Sequence, residues 1–125
     1  MDMETKMTKL LMEIGFLASG LGMTAKADTI FDAAMVLKPK AENAWVGKAV
    51  NRMNAGSPEE AVDLLREKAL SVNPDSDAAQ NFLGLALKLA GRASEAETVL
   101  ARVAAQSKEK EAVAMARNLL AEIRG

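Results

Sequence analysis

The stretch GSPEEAVDLLREKAL, residues Gly56–Leu70, reads as the end of one helix and the start of the next. Gly56 suits a left-handed C-terminal position, which costs glycine little. Ser57 is placed to cap the new helix, Pro58 sits in its first turn, and Glu60 stands at the capping-box position. Glu59 and Glu60 lie at the positive end of the helix dipole. Ala61 and Leu65, one turn apart, give that helix a small and then a large inward-facing position. Pro74 stops it, because proline cannot continue a helix.

The same punctuation recurs on both sides of this stretch. Gly22, Gly56 and Gly91 lie 34 and 35 residues apart. Ala27, Ala61 and Ala96 keep the same register, as do Phe31, Leu65 and Leu100. Gly15, Ala49 and Gly84 form a further series of small residues, and Pro39 and Pro74 are 35 apart. One period shared by five series marks a repeat architecture. The small residue at Gly15, Ala49 or Gly84 falls mid-helix, where a neighbouring helix has to approach closely. Ala27, Ala61 and Ala96 let the second helix of each unit pack back on the first. Helices are expected at about 3–20, 24–37, 41–55, 58–72, 76–90, 93–106 and 108–123. Thr24 is expected to cap the second, and Ser76 or Asp75 the fifth.

Hairpins of this length resemble the tetratricopeptide repeat. The matching residues are Ile14-Gly15, Ala18, Ala27, Phe31 and Pro39 in the first unit. In the second they are Trp45, Ala49, Gly56, Ala61, Leu65 and Pro74, the proline displaced by one residue. In the third they are Leu83-Gly84, Leu87, Gly91, Ala96 and Leu100. The likeness covers about residues 8–107. It departs from the family where tyrosine-like aromatics are replaced by Ala18, Arg52 and Leu87, and in the missing terminal proline of the third unit. The expectation is an all-α chain forming a right-handed superhelix of three such hairpins in one domain, 1–125. The repeats fall at about 8–41, 42–76 and 77–110, and a polar-faced capping helix at 108–124 closes the stack.

By that resemblance, the first helix of each unit lines a concave face. The residues expected there are Met12 and Phe16, then Val46, Val50 and Met53, then Asn81, Leu85, Lys88 and Leu89, with Asn54 a further polar member. An apolar helical stripe also serves a core, and Phe16, Val50 and Leu85 carry both readings. An open stack cannot close on itself, so such a face stays partly wet and marks a partner site. An amphipathic helix or an extended apolar segment suits it. Methionines make the surface adaptable, and Met1, Met3 and Met7 either add to it or form a ragged terminus. Family members that clamp a C-terminal carboxylate line the groove with Lys, Arg and Asn. Met12, Phe16, Val46, Val50 and Leu85 stand there instead, so a carboxylate clamp is not expected.

Composition narrows the chemistry. Half the residues are hydrophobic and 3% aromatic, so the core is built from Leu, Ala, Val and Met. His and Cys are absent, and no serine has a base to activate it. No enzyme activity, metal or cofactor is expected. Net charge is −1 without a basic cluster, which excludes a nucleic-acid interface. Glu13 interrupts the apolar run Leu10–Gly22, so neither a secretory leader nor a membrane span is expected.

A short, acidic chain of three such repeats is similar to the bacterial type III secretion chaperones of the tetratricopeptide class, on the segments ADTIFDAAMVLKP (Ala27–Pro39) and GSPEEAVDLLREKAL. That resemblance implies a cytoplasmic, non-catalytic chaperone that shields an apolar helix of a secreted subunit in its groove, with a co-chaperone as a further partner. A scaffold adaptor and a self-associating module, for instance a homodimer, stay open as alternatives.

Overall fold

The computed structural model describes all residues, 1–125, and contains helices only. They are α1 (Met3–Gly20), α2 (Thr24–Leu37), α3 (Asn43–Asn54), α4, α5 (Asp77–Leu89), α6 (Ala93–Gln106) and α7 (Lys110–Arg124). α4 runs as Pro58–Leu64, a π-helical turn at Leu65–Ala69, and Leu70–Val72. α1 packs on α2, α3 on α4 and α5 on α6, giving three hairpins. α3 also touches α1 and α5, so the first helices of the hairpins lie side by side. α7 packs on α5 and α6 and closes the stack.

The three glycines do what their spacing implied. Gly22, Gly56 and Gly91 have φ of 78°, 84° and 78°. After each, one amide reaches back to the same helical carbonyl: Met23 N–H to Ala18 O at 2.9 Å, Ser57 to Arg52 and Arg92 to Leu87 at 2.8 Å. These are three copies of one C-terminal motif in which a left-handed residue lets the chain fold back on its last turn.

That motif also explains a correction at the helix starts. Neither Thr24 nor Ser57 caps through its side chain. Thr24 is already the first residue of α2. Ser57 holds the N-cap place, but its ψ of 63° is far from the extended backbone of a working cap. The fold-back bond fixes this residue, which leaves its side chain out of line. Two helices that do not follow such a bond are capped: Asp2 accepts from Thr5 N–H at 2.7 Å and Ser76 from Ala79 N–H at 3.1 Å.

The repeat positions form the interior. Ala27, Ala61 and Ala96, with Phe31, Leu65 and Leu100, are fully buried. A Cβ built on Gly84 would lie 2.4 Å from Leu100. One on Gly15 would lie 2.6 Å from the Phe31 ring, and one on Gly47 2.4 Å from the same ring. Phe31 therefore joins the first hairpin to the second through two glycine gaps. The main core runs from Val46 to Leu120, while Ala18, Ala27 and Phe31 form a separate small cluster with Met12 and Ile30.

Polar bonds fix the turns. Arg92 pairs with Glu59 at 2.9 Å and with Glu95 at 2.6 Å, linking the second hairpin to the third. The Arg92 guanidinium holds the Glu95 carboxyl down to about 2, and Arg66 assists. A depressed carboxyl stabilises the fold above its ordinary value of 4.5 and loses that contribution as pH falls from there towards about 2. NMR titration should therefore find Glu95 ionised at pH 3.5, and neutral for the most part at that pH in an Arg92→Gln chain. A Glu95 midpoint that does not respond to this substitution would rule the coupling out.

Candidate groove on the concave face

The inner faces of α1, α3 and α5 enclose a cleft of about 530 Å³. Its apolar lining is Met12 and Phe16 from α1, Val46 from α3, Ala78 and Phe82 from α5, and Ala41 from the turn before α3. Thr5, Thr8, Lys9, Lys38 and Asn43 make the polar remainder. The combination is a greasy floor with cationic side chains at the edge, which suits an apolar helix or strand with acidic flanks.

Local sequence dictates this placement. In α1, Gly15 and Ala18 are drawn inward among the buried residues, which leaves Met12 and Phe16 at the cleft. The Phe16 ring meets the buried Phe31 edge to face, with centroids 5.3 Å apart. That contact fixes an otherwise 39% exposed aromatic. Two amides hold α3 against the first hairpin and so set the cleft width. Asn54 Nδ2 donates to Ser19 Oγ, and the buried Asn51 donates to Thr24 O and to Asp28 Oδ1, each at 2.9 Å.

The expected groove residues divide. Met12, Phe16 and Val46 meet in the cleft, although Val46 is itself only 5% exposed and belongs to the core. Val50, Met53 and Leu85 are half-buried and pack against the main core. Lys88 pairs with Glu122 of α7 at 3.0 Å, and Leu89 is exposed. Asn81 does not face the cleft: it is 1% exposed and donates its amide to Ala112 O at 2.9 Å, tying α5 to the closing helix. Asn54 is likewise occupied, by Ser19.

Phe82 and Ala78 were missed. The signal was the 4-3-4 spacing Ala78, Phe82, Leu85, Leu89, which forms a single helical stripe. Asn81 stands one position before Phe82, on the side of α5 turned to α7, while Leu85 and Leu89 share the stripe of Phe82. The rim lysines Lys9 and Lys38 come from different helical segments, and no period in the sequence joins them.

No curated protein sequence matches this chain. The solved Yersinia enterocolitica type III secretion chaperone SycD, in complex with a peptide of the translocator YopD, superposes with a TM-score of 0.70 at 20% identity over 93% of this chain and 91% of that one. PcrH from Pseudomonas aeruginosa gives 0.73 at 21% identity, over 100% and 96%. The Arabidopsis OM64 tetratricopeptide domain gives 0.68 at 16%, over 95% and 98%. At these identities the likenesses are likenesses of fold. The tetratricopeptide repeat profile matches residues 52–123, more than half the chain. Together with the hairpins in register and the concave cleft they build, this match places the chain in the tetratricopeptide repeat family.

Proposed function

We propose that this protein is a non-catalytic type III secretion chaperone that holds an apolar helical segment of a secreted client in its concave cleft. The observation that carries the reading is the cleft itself. Met12, Phe16 and Phe82 leave a mostly apolar floor open to solvent between the first helices of the three hairpins. Such a surface gains from covering a client's apolar face and keeps that face from self-association. The likeness to SycD, whose solved complex contains a YopD peptide, supports the same use of the fold.

Val50, Met53, Leu85 and Leu89 extend the contact along α3 and α5, and Lys88 contributes its aliphatic stem while its ammonium stays on Glu122. The reading needs no cofactor and no metal. The absence of His and Cys leaves little for acid–base or thiol chemistry to use. A chaperone of export clients works before export, so the cytoplasm is its place. No helix is long and apolar enough to cross a membrane.

The test is calorimetric titration with two synthetic peptides. One is an amphipathic helix with Leu and Val on one face and Asp and Glu at its ends. The other is an extended polar peptide ending in a cluster of carboxylates. The first is expected to bind with micromolar affinity and the second not to bind. The reverse order would favour an adaptor that reads charged tails, and would sink the proposal.

A further inference from the structure

The cleft differs at its two ends. Along α1 its lining passes from Thr5, Thr8 and Lys9 to Met12 and Phe16, so polar side chains stand at one end and apolar ones at the other. Lys38, from the turn after α2, joins Lys9 at the polar end. Neither lysine forms an ion pair within the chain. Asp2 lies within electrostatic reach of Lys38, but its carboxylate is already the cap of α1 and accepts from Thr5 N–H. Glu13, one turn beyond Lys9, is exposed and does not line the cleft. The other basic residues of α1, α3 and α5 are spent or turned away. Lys48 pairs with Asp32 at 2.8 Å, Arg52 with Asp28, and Lys88 with Glu122 at 3.0 Å. Lys6 is exposed outside the cleft. Unpaired positive charge in the cleft is therefore confined to one end.

We propose that this asymmetry gives the cleft a polarity: the client segment carries Asp or Glu side chains on one side of its apolar stretch and lies with that side at Lys9 and Lys38. The inference rests on the cleft being the client site, and adds what chemistry the client presents and which way round it lies. Charge complementarity selects this occupant. An apolar floor alone holds a segment in either direction, because burial of apolar surface is not directional. Two unpaired ammonium groups beside that floor make the two directions unequal. Each contributes no more than a surface ion pair does, so the pair sorts clients and orientations more than it adds affinity. The spacing is set as well. Lys9 and Phe16 are seven positions apart on α1, about 10 Å at a rise of about 1.5 Å per residue. A client carboxylate at Lys9 therefore stands about two helical turns, or about three residues of extended chain, from the apolar side chain seated on Phe16.

Calorimetric titration of the full chain with four peptides tests the polarity. All share one amphipathic apolar core and are acetylated and amidated, so that side chains supply the only carboxylates. One carries Glu at its amino end, one at its carboxyl end, one at both ends, and one has Gln throughout. The better of the two one-ended peptides is expected to bind about fivefold tighter than the Gln peptide, the size of two exposed ion pairs. The peptide with Glu at both ends should bind no tighter than that. The advantage should fade between about 0.01 M and 1 M salt, as the screening length falls from about 30 Å to about 3 Å. Lys9→Gln combined with Lys38→Gln should abolish it and leave affinity for the Gln peptide unchanged, whereas Lys88→Gln should preserve it. Equal affinity of all four peptides, a further gain from the second acidic end, or an advantage that survives the double substitution overturns the polarity while leaving the cleft as the client site. Failure of every peptide to bind overturns the cleft reading and the polarity with it.

Discussion

Phe31→Ala is expected to lower stability by about 3–5 kcal/mol, the largest loss from any single truncation in the first hairpin. For a chain of this size the melting temperature should fall on the order of 10–20 °C. The reason is position as well as size. Phe31 is fully buried, and its ring fills gaps left by Gly15 and Gly47 on two different helices. Its removal opens a cavity at the joint between hairpins, and the neighbouring glycines have no side chains with which to fill it. The reciprocal change has a smaller effect: Gly47→Ala drives a methyl into the ring and should cost about 1–3 kcal/mol. The two sites share one gap, so they should couple. Gly47→Ala combined with Phe31→Leu should therefore be more stable than the sum of the two single losses. Strict additivity in urea melts, or a Phe31→Ala loss below about 1 kcal/mol, would show that the ring is not the joint.

Phe82→Glu is expected to weaken binding of the amphipathic peptide at least a hundredfold, about 3 kcal/mol, while the helical spectrum persists. A carboxylate at this position sits on the apolar floor, where the bound peptide would have to strip its water. Phe82 is a cleaner probe than Val46. Val46 lines the same cleft but is nearly fully buried, so a charge there would attack the core and confuse unfolding with lost contact. Phe82 is half-buried and partly solvated in the free protein. Phe82→Leu keeps the floor apolar and should retain affinity within about tenfold, as expected for a volume-tolerant apolar contact. Equal peptide affinity in Phe82→Glu and the parent chain would place the client elsewhere.

The architecture was legible because its determinants are local and repeated. A glycine that must adopt positive φ, an alanine where helices touch and a proline that ends a helix each leave a mark at a fixed offset, and Gly22, Gly56 and Gly91 behave alike in the structure. Helix ends were read to within two residues on the same basis. What escaped depends on contacts across hairpins. Gly47 was passed over because its reason for being small is Phe31, sixteen positions earlier in a different hairpin. Asn81 reads as a groove residue by chain spacing alone. Only α7, docked on α5, shows its amide spent on Ala112. The cleft was therefore half legible: Met12, Phe16 and Val46 followed from register, whereas Phe82 needed the helix phase and Lys9 and Lys38 needed the fold.

The split interior bears on how the molecule responds to occupancy. One wall of the cleft, α1, is anchored by the small cluster around Phe31, while the other walls, α3 and α5, belong to the large core. Regions with fewer buried contacts open at lower free energy, so the first hairpin is expected to act as a separate foldon and to exchange its amide protons first. A segment lying against Met12 and Phe16 on one side and Phe82 on the other bridges the two foldons. Its binding energy would then add to the cohesion between them, so the loaded protein is expected to unfold as a single unit where the empty one frays from its amino-terminal end.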